Sequence, residues 1–478
     1  MVETGKSAFR SFFSHRIVRI PLQIVLGLAG LVAAVVAAAA IYNAFDEDLT
    51  PEAKAMLAPP PMGKVEDRNG YVAFLGLVAP KGQDQMEWGR KAAAAFTAQA
   101  QPGFTRSAEW EKATRSHIKI PADRNKWCRP DCLSEAKSDG GAVARRLADP
   151  DNAELLARYR KVREAPEFAE LYVGERVASF PRSHPALYAG SALSLSEAAG
   201  KANAGDPEAL VAELEREVAF HRRMVDNGRM LITVMAGQSG LTRDLLVISE
   251  MVRFDAGSKL AGYGPRLRAL TRPQVSAKAL QPGFRFEAHE GVSWAKDWRQ
   301  LLRETATPLP DNLQLSSNWT QSLFIRPNET INRVAALMRN EAAIADAATD
   351  QFDRQAAAID AARNELLARP LYAEAFNPVG KSVAELVANS RLAPYAARMN
   401  DLQALERMVD LQVSIATSGP VAPDAVAAHV AGESAPRDPY TGKPFAFDPA
   451  TRLLSFEPRA KIWGDMKKRY GGKVAIAL

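Results

Sequence analysis

The chain has 478 residues, 47% of them hydrophobic and 24% charged, and its Lys and Arg outnumber Asp and Glu by 61 to 55. That apolar fraction is enough to bury a sizeable core. The net charge of +6 suggests a nucleic-acid or acidic-lipid partner, but Lys6, Arg10, Arg16 and Arg19 against Glu3 put half of it in the first residues, and the rest of the chain is close to neutral. With no Lys/Arg cluster interleaved with aromatics, nothing supports nucleic-acid binding.

In chain order, a basic leader (1–19) precedes an unbroken apolar run over 24–42 that includes Ile24, Leu26, Leu28, Leu31, Val35 and Ile41. A helix of roughly 20 apolar residues spans a hydrocarbon core of about 30 Å, so 20–42 reads as a transmembrane helix. Basic residues before the run and Asp46, Glu47 and Asp48 after it place the N-terminus in the cytoplasm and the bulk outside. In a Gram-negative cell this is an inner-membrane signal-anchor with a periplasmic domain. A cleaved signal peptide is the competing reading, because Ala37 to Ala40 offer small residues to a peptidase. Against it, the leader is long and the run exceeds the usual core of about 7–15 residues. No Cys follows the run, so a lipidated N-terminus is not expected.

Residues 43–68 read as a polar spacer stiffened by Pro59-Pro60-Pro61, and 69–478 as the folded part, beginning at Asn69-Gly70-Tyr71. Both cysteines lie in Trp127-Cys128-Arg129-Pro130-Asp131-Cys132. In an oxidising compartment Cys128 and Cys132 are expected to form a disulfide that pins a loop. A redox motif or haem attachment requires two intervening residues, and here there are three. Soft-metal or copper handling with His117 or His184 is the weaker alternative.

Helical patterning then dominates. Asp206-Pro207 starts a helix with an apolar face through Leu210, Leu214, Val218, Val225 and Ile232, expected to run to about 235, break over Gly237-Gln238-Ser239-Gly240 and resume. A second helical region opens at Asn328-Glu329 and runs to about 368. A third covers about 382–418 with an interruption near Pro394. Between the first two, residues 265–325 read as a long excursion with little regular structure. At the C-terminal end, Phe445-Ala446-Phe447 and Leu453-Leu454-Ser455-Phe456 read as a β-hairpin. The fold class is therefore mainly α: an elongated multi-helix extracytoplasmic domain with a small C-terminal hairpin.

Several stretches resemble a family of uncharacterised single-pass, membrane-anchored exported proteins of proteobacteria. They are Asn69 to Leu77 with Gly82-Gln83-Asp84, the cysteine loop, Arg326-Pro327-Asn328-Glu329-Thr330-Ile331-Asn332, Asn377-Pro378-Val379-Gly380-Lys381 and Asp438-Pro439-Tyr440-Thr441-Gly442-Lys443-Pro444. The resemblance implies an architecture and no mechanism. The last stretch is also similar to the end of secretion pseudopilins, but the N-terminus lacks the prepilin processing pattern.

No catalytic set stands out. Gly237-Gln238-Ser239-Gly240 is half of a nucleophile elbow, with Leu241 where the second Gly belongs. His289-Glu290 begins a zincin pattern but meets Ser293 where the second His should stand. His221, among Glu215, Glu217, Arg222 and Arg223, reads as part of a solvated ion-pair face. Phe284, Phe286, Trp294, Trp298 and Trp319 concentrate aromatics and form the one candidate interaction surface, with core packing beneath a loop as its alternative. No cofactor motif and no metal set is read. The expected function is a non-catalytic envelope interaction or assembly protein with an envelope partner. A cell-wall hydrolase, or a thiol or copper protein using the cysteine pair, is the alternative.

Overall fold

The computed structural model describes residues 16–99, 107–121, 127–128, 131–171, 183–254, 260–299, 324–368, 377–418 and 422–478. In chain order the helices are α1 (Arg16–Ala44), α2 (Pro51–Leu57), α3 (Gly70–Leu75), α4 (Gln85–Gln99), α5 (Ala108–Thr114), α6 (Cys132–Ser138), α7 (Gly140–Ala148) and α8 (Pro150–Glu164). They continue with α9 (His184–Asn203), α10 (Pro207–Asn227), α11 (Leu231–Phe254), α12 (Leu260–Thr271), α13 (Gln281–Lys296), α14 (Pro327–Ala342) and α15 (Phe352–Leu367). The last are α16 (Pro378–Ala388), α17 (Ala393–Ser418), α18 (Pro423–Ala431) and α19 (Gly464–Arg469). Strands β1 (Ala446–Asp448), β2 (Leu453–Phe456) and β3 (Val474–Ala477) form an antiparallel sheet in that order. The mainly helical class and the hairpin agree with the sequence. β3 extends the hairpin, pairing Leu454 with Ile476 and Phe456 with Val474.

The chain divides into two compact units. The first comprises 1–57, 291–337 and 363–390. Its α1 is long and apolar enough over Gln23–Ala44 to cross a membrane, and only 6% of that stretch is buried. Ile24, Leu26, Leu28, Leu31, Val35 and Ile41 are all exposed, whereas Ala39 is buried.

The segment after α1, expected to be part of a spacer, is docked. The Asp46 carboxylate accepts the backbone N–H groups of Asn328 (2.5 Å) and Glu329 (3.1 Å), which caps the start of α14. Arg326 donates to the Tyr42 hydroxyl (3.2 Å) and the Phe45 carbonyl (2.9 Å). Asn332 donates to the Glu47 carboxylate and the Asp48 carbonyl, and accepts from the Thr50 amide. Asn377 caps α16 at Gly380 and also accepts from the Arg326 amide. A helix start leaves several N–H groups without intrahelical partners. Here a carboxylate distant in sequence satisfies them, and local patterning does not reveal that.

The second unit comprises 58–290, 338–362 and 391–478. Asn69 caps α3 by accepting the Tyr71 amide (3.0 Å), and its side-chain amide donates to the Ala169 carbonyl (2.7 Å). The core gathers Tyr71, Phe74, Tyr159, Phe168 and Phe220, and Phe168 meets the Tyr71 and Phe220 rings edge-on. Helix α10 packs on α9 and α11, and α11 on α17.

Two expectations are corrected here. Gly237 to Gly240 do not break a helix, because α11 runs straight through them. A Cβ at Gly237 would stand 2.8 Å from the His221 carbonyl oxygen, and one at Gly240 would overlap the His221 ring. These glycines let α10 and α11 approach closely. The break comes earlier, at Gly228, where α10 ends and the Glu170 carboxylate accepts the Arg229 and Met230 amides to start α11. In addition, α12 and α13 occupy much of the described stretch 265–299, which the sequence left irregular. Pro282 stands in the first turn of α13, where proline is tolerated, and Gly264 of α12 admits the Thr417 side chain of α17. Although α11 is apolar enough to span a membrane, 78% of its apolar stretch is buried, so it is a core helix.

Candidate functional site

Helices α8 to α11 place a set of ionisable groups in the interior. Tyr159 and Arg163 are one turn apart on α8, Ser191 and Ser194 lie on α9, Glu213, Glu217 and His221 repeat every fourth residue on α10, and Asp244 is on α11. Fourfold spacing puts all three α10 side chains on one face. Glu217 and Asp244 are fully buried, and His221 is 2% exposed. This corrects the expectation of a solvated face for His221. Of its charged neighbours, Glu215 does point outward, to Arg266 (2.7 Å).

Glu217 is the hub. Its Oε2 accepts the Tyr159 hydroxyl (2.6 Å) and the Ser191 hydroxyl (2.7 Å), and its Oε1 accepts Arg163 Nη1 (2.8 Å). The same guanidinium donates to Ser194 Oγ (3.1 Å) and to Glu213, which also accepts from Ser194 and from Arg216 Nε (2.9 Å). On the other side His221 Nδ1 meets Asp244 Oδ2 at 2.7 Å, and His221 Nε2 lies 3.9 Å from Glu217 Oε2. The second Asp244 oxygen is buried and has no hydrogen-bond partner among the described residues.

Burial, followed by the Asp244 charge, pushes the Glu217 carboxyl upward, against His221 and Arg163. Burial also raises the Tyr159 hydroxyl, and the Glu217 charge adds to it, so the phenol remains a neutral donor. For Arg163, burial opposes the charge, but Glu217 and Glu213 outweigh it and keep the guanidinium ionised. Burial opposes ionisation of Glu213 as well, yet the Ser194 bond and the Arg163 charge hold it below the usual carboxylate range.

Glu217, His221 and Asp244 have the residue types of a metal site, with ligand atoms within 4.8 Å of one another. Their surroundings do not favour a cation: His221 Nδ1 is already engaged by Asp244, and Arg163 at 2.8 Å from Glu217 would repel one. The network meets solvent at Arg163 and Glu213, which line a cleft of about 240 Å³ together with Arg160, Glu164, Glu197, Lys201 and Arg216.

The other sequence candidates fall elsewhere. Cys128 and Cys132 are joined in a disulfide. Around it Glu135 accepts the Cys128 amide (2.8 Å) and pairs with Arg146 (2.8 Å), while Glu250 of α11 accepts the Leu133 and Ser134 amides at the start of α6. His117 is engaged by the Lys112 carbonyl (2.7 Å), and His184 lies against the Phe74 ring. Phe284, Phe286 and Trp298 are buried and Trp294 is half-buried. These four therefore belong with core packing more than with an open interaction surface, because a regular helix, α13, presents most of them inward. Trp319 lies outside the described residues. His289 and Glu290 are buried on α13, and Ser239 sits mid-helix on α11, away from any strand-turn-helix.

No family model, curated protein or solved structure matches the chain.

Proposed function

We propose that the chain is a non-catalytic cell-envelope interaction or assembly protein, retained in the inner membrane by α1, with its N-terminus in the cytoplasm and its folded part in the periplasm. The observation that carries this reading is the clasp between the end of α1 and the start of α14. Asp46, Glu47 and Asp48 on one side, and Arg326, Asn328 and Asn332 on the other, bond the membrane-facing helix to its unit through side chains and backbone. A flexible tether has no need of such bonds, whereas a protein that must present a surface at a fixed place does. Retention is favoured because Ala37 to Ala40 lie inside a continuous helix with Ala39 buried, and a peptidase needs an extended substrate. The bonded cysteine pair offers no thiolate, which counts against thiol or copper handling. The hydrolase alternative draws on the His221–Asp244 pair, but at 2% exposure the ring is out of a substrate's reach.

Three measurements test the proposal together. The mass of the membrane-extracted protein should include the whole of α1, and a periplasmic reporter fused after residue 60 should be active. A mature N-terminus near residue 40, or a silent reporter, overturns the anchor. Affinity purification in mild detergent should bring down an envelope protein in stoichiometric amount, and a protein that purifies alone removes the assembly role.

A further inference from the structure

The cleft over the buried network has its own chemistry. Four cationic side chains, Arg160, Arg163, Lys201 and Arg216, share it with three carboxylates, Glu164, Glu197 and Glu213. The acceptors are overcommitted and the rim donors Arg160 and Lys201 are not. Glu197 is shared by Arg160 and by Lys201 (2.9 Å), and Glu213 by Arg163 and Arg216. A guanidinium carries five N–H donors and an ammonium three, yet Arg160 donates one side-chain bond here and Lys201 one. Arg160, Lys201 and Arg216 have side chains 41%, 56% and 50% exposed. Arg163, 3% exposed, forms the floor. Its guanidinium is held in place by Glu213, Glu217 and Ser194, and its Nε is buried with no hydrogen-bond partner among the described residues. A fixed positive charge at the base and adjustable donors at the rim suit an oxyanion, since Arg offers phosphate a rigid fork and Lys a point charge.

We propose that this cleft is a binding site for a phosphate group, either on a soluble phosphate compound or on a lipid headgroup. The buried network behind it holds the floor in position, which is a reason to keep so costly a set of interior charges. The site is independent of the anchor reading and stands or falls separately.

The test uses the full-length protein in detergent, titrated calorimetrically with inorganic phosphate and, in a second arm, with short-chain phosphatidic acid. Inorganic phosphate should bind saturably below about 10 mM, and Arg160→Ala with Lys201→Ala should weaken it by about ten-fold or more. Both substituted residues are half-exposed and pair only with Glu197, so the melting temperature without ligand should fall only slightly. Glu197→Gln, which releases Arg160 and Lys201 from their shared acceptor, should tighten binding. Phosphatidic acid bound about ten-fold tighter than phosphate assigns the site to a lipid headgroup, and equal or weaker binding assigns it to a soluble phosphate. No saturable heat in either arm, or a double variant that binds as well as the parent, overturns the proposal.

Discussion

Two buried carboxylate sites in the second unit solve the same problem differently. Asp401 on α17 is alone, and four neutral donors saturate it: the Tyr440 hydroxyl (2.6 Å), the Arg459 amide (3.0 Å), the Ala460 amide (2.9 Å) and the Trp463 indole (2.8 Å). All four come from residues 440–463, so the carboxylate fastens the C-terminal segment to the helix. The Glu217 network instead sets three carboxylates around a guanidinium and an imidazole, and one Asp244 oxygen has no hydrogen-bond partner among the described residues. A saturated single charge is a structural fastener. A charge network with unused valence has more ways to hold a proton and touches solvent at one end. The difference marks the second as the place to look for function and the first as the place to look for stability.

The largest expected effect comes from removing the network's nearly buried counter-charge, Arg163. Arg163→Ala leaves Glu213 and Glu217 without their shared cation, and should cost about 3–5 kcal/mol in chemical denaturation. A loss under about 1 kcal/mol would mean that solvent already screens the site. Asp401→Ala orphans several buried donors and should cost on the order of 3 kcal/mol. Its signature is local: amide exchange at Arg459 and Ala460 should speed up far more than in α10. Unchanged exchange there would remove the fastener reading.

Gly240→Ala is a smaller perturbation, since the added methyl overlaps the buried His221 ring. A cost of about 1–3 kcal/mol is expected, with the His221 ring signals displaced in the NMR spectrum. A neutral substitution would show that the ring has room to move.

The mildest test changes no side chain. Burial raises both Asp401 and Glu217, and elsewhere it pushes Glu170 and Glu406 up to about 7, against the amides they accept. A carboxyl whose folded pKa lies above its unfolded value binds more protons in the folded state. Its stabilising contribution is complete below the unfolded value and is lost as pH rises through the folded one. Unfolding free energy should therefore rise as pH falls from 8 toward 5, by up to about 1.4 kcal/mol per pH unit for each such group, and the melting temperature with it. Below about pH 4 the trend should reverse, because Glu197 and Glu213 sit lower than usual and lose their ion pairs there. A flat profile from 8 to 5 would show that these carboxyls are hydrated.

Local signals in the sequence were enough for the apolar α1, for the helix start where Asp206 accepts the Ala209 amide, for the turn chemistry before β1 and for the close cysteine pair. Each depends on residues a few positions apart, which is the range over which propensity, capping and patterning act. Fourfold spacing on α10 was equally visible, but whether Glu213, Glu217 and His221 face water or Tyr159, Arg163 and Asp244 depends on which helices pack against that face. The same holds for Gly237 and Gly240, which read as a break until α10 is seen lying against them. It holds again for the remote carboxylates: Asp46, Glu170, Glu250 and Asp401 look like ordinary surface acids, and only the fold brings them to backbone amides far along the chain. The sequence by itself determined which N-terminal helix is long and apolar enough to cross a membrane and where helices such as α10 begin, because local hydrophobicity and capping set both. Tertiary packing alone decided which charges are buried together, since a desolvated charge is held by partners that no local pattern brings close.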